Sequence, residues 1–152
     1  MDKIQTLKLI DKIKASHERQ MHKLELLMSD KDVDSIAPLA KTECELGKLM
    51  YSNEDALRRV VGSLFYEKLD VIHEKWHNEY SNIFNIFNEY VQYKSTHKGL
   101  FSKLIGGKKV SDMDIDKAKL YYSELKLTTQ ELLHIIDVSR RRIAALAETK
   151  FN

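Results

Sequence analysis

Five glycines and one proline in 152 residues leave few places where a helix must stop. That scarcity constrains the fold of this chain more than any other feature. Apolar residues recur at three- and four-residue spacing, and no strand-like alternation persists. The first segment, about 3–28, carries Ile10, Ile13, His17, Met21, Leu24 and Met28 along one stripe. SDKDVDSIAP then reads as a connection. Pro38 suits the first turn of a second helix running to about Met50, because its missing N–H needs no partner there. Asn53 is placed to cap a third helix, which passes through Leu57, Val61, Phe65, Ile72, Trp76, Tyr80, Phe84 and Phe87 to about Lys94. THKGLFSKLIGGKKVSD holds three of the five glycines and reads as a long surface loop. A short amphipathic turn at GLFSKL, able to touch a membrane or a partner, is the alternative there. Ser111 or Asp112 opens the last helix, whose stripe is Ile115, Ala118, Tyr122, Leu125, Leu132, Ile136, Ile143 and Leu146. The expectation is a single all-α domain over residues 1–152, a four-helix bundle, with 113–150 as a long C-terminal helix. A short extra helical turn has room within 97–112.

Several function classes recede on composition. Apolar residues make up 43% and charged residues 32%, a globular balance rather than a disordered one. With 25 Lys+Arg against 23 Asp+Glu there is no basic excess of the kind a general nucleic-acid binder uses. No run of about 18 apolar residues is available to span a membrane. The opening MDKIQTLKLIDKIK mixes charge with apolar residues and is not a secretory signal. One cysteine excludes an internal disulfide framework and fits a reducing compartment, so the cytoplasm is the expected location.

The chemistry concentrates in four residues. His17 interrupts the apolar stripe of the first helix. His73 and His77, four apart, project from one face about a turn from each other. Their neighbours Leu69, Ile72, Trp76 and Tyr80 mark that face as core. Cys44 lies in TECELGKLM, which reads as mid-helix, beside Gly47, where a missing side chain admits another backbone or a metal site. Each alone has a plain reading, a hydrogen-bonded core histidine or a small buried thiol. Together, three inward imidazoles would be costly to bury without partners, and three nitrogens with one thiolate make a tetrahedral zinc set. Calcium and magnesium would take oxygens instead. His22 lies about 140° around the helix from His17 and is the alternative ligand there. His134 points away from the Leu132, Ile136 face, and His97 belongs to the glycine-rich loop. Asp70, one turn before His73, is the candidate to orient that ring.

His17, then Cys44-Glu45-Leu46-Gly47, then His73-x-x-x-His77 resembles the chemoreceptor zinc-binding (CZB) domain. The match covers about residues 10–90. Two positions depart from the family pattern: Gln20 stands where the family has tryptophan, and Leu49 where it has an aromatic. The resemblance implies a small helical bundle with Zn2+ held by His17, Cys44, His73 and His77, without catalysis. The last helix, about 115–150, is similar to the extra helix of the CZB domains of zinc-regulated diguanylate cyclases; other members end cytoplasmic chemoreceptors. The resemblance therefore implies zinc or redox sensing that controls a signalling output domain or chemoreceptor-type partner, with homodimerisation. No output domain lies within the 152 residues.

Three rival readings stand beside it. His73-Glu74-Lys75-Trp76-His77 is a literal HExxH, the zinc-peptidase pattern, in which the Glu activates water. Against it, Lys75 is charged, no sheet is expected, and Cys44 with His17 would close a coordination sphere that catalysis needs open. Glu131-x-x-His134 is half of a di-iron pattern that requires a second copy. A helical adaptor without metal is the plainest reading. Arg140-Arg141-Arg142 reads as a solvated helix end, with a docking patch as its alternative. Tyr121, Tyr122, Phe84, Phe87 and Tyr90 read as core or dimer contacts.

Overall fold

The computed structural model describes residues 2–29, 31, 33, 38, 40–96 and 110–151, with side chains in the helix that ends at Thr96 described as far as residue 88. Among these residues there are five α-helices and no strand. They are α1 (Lys3–Met28), α2 (Glu45–Ser52), α3 (Glu54–Val61), α4 (Ser63–Thr96) and α5 (Asp112–Ala145), followed by a 3-10 turn at Glu148–Lys150. His97 and the expected extra turn after it lie outside the described residues, apart from the approach to α5.

α1 starts at a capping box. The Asp2 carboxylate accepts the Gln5 N–H at 2.7 Å, and the Gln5 side chain accepts the Asp2 N–H at 3.2 Å. Its buried face runs Thr6, Ile10, Ile13, His17, Met21, Leu24 and Leu27, so Leu27 rather than Met28 ends the stripe. α5 is capped by Ser111, whose hydroxyl accepts the Asp114 N–H at 3.1 Å. α4 and α5 share the largest interface, and α1 lies against α5. Fully buried Trp76, Tyr80, Ile83 and Phe87 from α4 meet Leu125, Leu132 and Ile143 from α5, with Ile13 and Leu24 from α1. Tyr122 and Phe84 are half-buried and pack against this core.

The four expected helices become five among the described residues, for identifiable reasons. The third breaks at Gly62, whose φ of 92° is a conformation that side-chain-bearing residues rarely adopt. The break is held from outside: Arg142 Nη1 donates to the Val61 carbonyl at 2.8 Å, and its guanidinium lies 4.0 Å from the centre of the Phe65 ring. Arg140 pairs with Asp11 at 2.6 Å, so two members of the arginine run have defined partners and the run is not simply a solvated end. Asn53 precedes α3 without a capping hydrogen bond; its amide donates instead to Leu49 O at 3.2 Å, at the end of α2.

The second helix is shorter than expected. Pro38 is not in its first turn: residues 40–43 form a turn closed by Glu43 N–H to Ala40 O at 3.1 Å, and α2 begins only at Glu45. α5 likewise ends at Ala145 rather than near Lys150, where the Leu146 N–H turns back to Ile143 O and Lys3 Nζ donates to Leu146 O at 2.6 Å. No described helix is long and apolar enough to cross a membrane.

Candidate metal centre

The structure brings His17, Cys44, His73 and His77 together, each offering one donor atom, all within 4.8 Å of one another. Two long helices supply the histidines, α1 one and α4 two, at positions where the helical repeat turns them inward. His73 is wholly buried, and His77 and His17 are 3% and 5% exposed. Cys44 is half-buried and arrives differently. It is not mid-helix but the N-cap of α2, and its Sγ accepts the Gly47 N–H at 3.3 Å. The thiol therefore faces the positive end of a short helix, where a thiolate is favoured.

Gly47 is what lets that cap form. A Cβ there would lie 1.8 Å from the Lys41 carbonyl oxygen, so the turn at 40–43 packs directly on the backbone of α2. Lys41 also ties this turn to α4: its Nζ is 3.1 Å from Asp70 Oδ1 and 2.9 Å from Glu74 Oε2. Tyr51 from α2 donates its hydroxyl to the same Asp70. Burial would pull the Lys41 ammonium down, but Tyr51, Glu74 and Asp70 outweigh it and raise its pKa. Asp70 thus serves Lys41 and Tyr51 rather than orienting His73, the role its spacing suggests. Glu74 of the HExxH sequence is exposed and engaged with Lys41.

Within the cluster, His73 Nε2 lies 3.1 Å from Cys44 Sγ and 3.1 Å from His77 Nε2. His17 Nδ1 donates to Ile13 O at 2.9 Å, which leaves its Nε2 as the lone-pair nitrogen. One imidazole nitrogen can satisfy one hydrogen bond in its ring plane, so two close approaches to His73 Nε2 leave one of them unsatisfied. Tetrahedral bonds of zinc length place two nitrogen donors about 3.3 Å apart and a nitrogen and a sulfur about 3.6 Å apart. The His73–His77 pair is near the first value, while the four donors together spread over as much as 4.8 Å. In donor chemistry and convergence the four side chains could hold a metal ion. Burial, then the neighbouring His77, His17 and Lys41, push His73 down to about 2, so this ring stays neutral with its lone pair available. Burial lowers His17 as well, partly offset by its bond to Ile13 O. Burial also raises the Cys44 thiol, against the opposing pull of the Gly47 and Leu46 N–H groups. A bound cation would reverse that last effect by favouring the thiolate. His73 Nδ1 is buried without a partner among the described residues.

Trp76 closes the centre from the core side. Its ring meets His17 edge-on at 4.7 Å and His77 at 5.0 Å, and its Nε1 donates to Thr129 Oγ1 of α5 at 2.9 Å. A pocket of about 240 Å³ opens onto His17, Cys44 and His77, lined also by Trp76, Ser16, Gln20 and Lys48. His22 is exposed, 3.5 Å from Glu25, and takes no part; His134 is exposed too. Among the described residues no other group of His, Cys, Asp or Glu converges in this way, and no carboxylate joins the four. The capping role of Cys44, the Lys41 tie and the Trp76–Thr129 bond are features that helical spacing does not reveal. Only Gly47 beside the cysteine signals the first.

No family model matches the chain, and no curated protein or solved structure matches it. The likeness to the CZB domain thus rests on the motif residues and on a His-Cys-His-His cluster in an all-helical protein, with which it is compatible. Those two observations define the class: a helical protein with three imidazoles and a thiol arranged so that they could hold a metal ion.

Proposed function

We propose that this protein binds one Zn2+ through His17, Cys44, His73 and His77 and acts as a zinc- or redox-responsive regulatory domain of CZB type. The observation that carries the reading is the convergence of three nitrogens and one sulfur within 4.8 Å, a donor set that suits a borderline-soft ion and offers no oxygen. A site closed by four protein ligands leaves no open position for substrate, which favours sensing over hydrolysis. The outward Glu74, held by Lys41, favours it too. The α2–α3 pair stands in for the fourth member of a bundle in this reading. Bound zinc would hold Cys44 as thiolate; oxidation of that sulfur would weaken one ligand and favour release. The pocket beside Cys44 gives a small oxidant a path to it.

The output would be a signalling domain or chemoreceptor-type partner in the cytoplasm, and the acting form a homodimer. Met113, Leu120 and Leu127 support the dimer: all three are more than 60% exposed and recur every seven residues along α5.

Metal content of protein purified without added metal or a histidine tag, beside Cys44→Ala, tests the reading. The expected result is about one zinc per chain, with affinity in the variant reduced by more than roughly a hundredfold, beyond the cost of losing an outer-shell partner. Zinc fully retained in the variant would favour an open HExxH site and require a peptidase assay. No metal in either would leave a helical adaptor. Sedimentation velocity on the same preparation tests the dimer, which a monomeric mass would exclude.

A further inference from the structure

Three of the four donors sit on long helices whose packing fixes them. Cys44 does not: it heads an eight-residue helix and is reached through the turn at 40–43. A helix of that length has little stability of its own. Something else must keep its sulfur 3.1 Å from His73 Nε2.

Lys41 is placed to do so at both ends. Its carbonyl occupies the space a Cβ of residue 47 would need, which seats the turn on α2 whatever the state of the sulfur. While Cys44 is a thiol, that carbonyl also accepts the S–H at 3.3 Å, a bond that ends when metal replaces the proton. Its ammonium reaches across to α4, between Asp70, three residues before His73, and Glu74, the residue after it. Tyr51 braces the arrangement from α2, its hydroxyl on Asp70 and its ring 5.6 Å from the ammonium. The lysine side chain is 23% exposed and Asp70 31%, so the clamp is sheltered on its Asp70 side and open at Glu74.

From this arrangement we infer that Lys41, clamped between Asp70 and Glu74 of α4, is the positioning residue that delivers Cys44 to the three histidines. The inference rests on the metal site proposed above. It assigns the Glu of the HExxH sequence a mechanical role: Glu74 holds the cysteine arm from outside rather than activating water inside. Breaking the clamp should leave three imidazoles able to bind metal but should remove sulfur from the coordination sphere.

Two readouts on the full chain test this: zinc affinity by chelator competition, and the thiolate-to-metal charge-transfer band of the Co(II)-loaded protein. The variants are Lys41→Met, which keeps the apolar stem, Lys41→Arg, and Asp70→Asn with Glu74→Gln, which removes the clamp from the α4 side. Lys41→Met and the double variant should bind zinc roughly ten- to a hundredfold more weakly, the usual cost of losing a group that orients a ligand. Both should lose most of the cobalt–sulfur band while keeping the absorption of histidine-bound cobalt. Lys41→Arg should restore both signals, because a guanidinium can serve two carboxylates. The full band and unchanged zinc affinity in folded Lys41→Met or in the double variant would overturn the clamp, with the zinc site itself intact. Absence of the band in the wild type would instead overturn Cys44 as a ligand, and the clamp with it.

Discussion

His73 and His17 show what it costs to hold imidazoles in a core. Both are held neutral in the folded chain, chiefly by burial, and both return to the ordinary histidine range near 6.5 when the chain unfolds. Below that value the unfolded state binds more protons than the folded one, so stability must fall as pH falls. Each ring can contribute up to about 1.4 kcal/mol per pH unit in that window. Metal-free protein should therefore lose denaturant resistance steeply between about pH 6.5 and 5, and the unfolding midpoint across that range measures it. A flat profile would mean that both rings can be protonated without leaving the core, and a slope of half the size that one of them can. The cluster is also where the sequence is most legible. His17, His73 and His77 fall on apolar stripes that only an inward face produces, and the thiol beside Gly47 marks a close approach. Asp70 shows the limit of such reasoning. Its one-turn offset from His73 suggests an orienting bond, but spacing along a helix fixes direction only coarsely, and Lys41 from a distant turn claims the carboxylate.

At the scale of elements, the long helices are legible in the sequence and the short ones are hidden. α1, α4 and α5 each carry an apolar stripe over many turns, and the caps of α1 and α5, Asp2 and Ser111, are recognisable residue types. α2 and α3 are eight residues each, too short for periodicity to set either apart from the adjoining chain. Continuity of apolar residues through Val61 and Phe65 conceals the break between α3 and α4. Gly62 is its one trace, and a lone glycine in a helical pattern is ambiguous until its φ is known. That conformation leads to a prediction. Gly62→Ala should destabilise the fold by about 1–3 kcal/mol through backbone strain, since crowding is slight: the nearest atom to the added Cβ would be Arg142 Nη1, at 3.8 Å. A thermal midpoint unchanged from wild type would show that the junction of α3 and α4 can relax into another geometry. Cys44 is hard to place from sequence for a related reason. Cysteine is not among the common capping residues, so only the geometry, with its sulfur accepting the Gly47 N–H, marks it as the start of α2.

Across the whole molecule, the centre joins α1, α4 and the start of α2, while α5 supplies no ligand. What connects α5 to the site is Trp76, packed edge-on against two of the imidazoles and bonded through Nε1 to Thr129. Thr129 in turn donates to Leu125 O at 2.7 Å and lies 3.2 Å from Met21 Sδ of α1, so the indole is held where three long helices meet. Any shift of His17 or His77 on taking up metal must be felt by this ring, and Trp76 is the chain's only tryptophan. Zinc titrated into metal-free protein should therefore change the intrinsic tryptophan emission, saturating at one equivalent, and raise the unfolding midpoint as a ligand specific to the folded state must. Thr129→Val keeps the shape and removes the hydroxyl, leaving the indole N–H buried without a partner, at a cost of about 1–3 kcal/mol. If α5 reads the metal through this bond, the variant should still bind zinc, yet amide exchange along α5 should no longer slow when zinc is added. Equal protection of α5 by zinc in wild type and variant would show that the helix senses the site through general packing, and that the indole bond only stabilises the core.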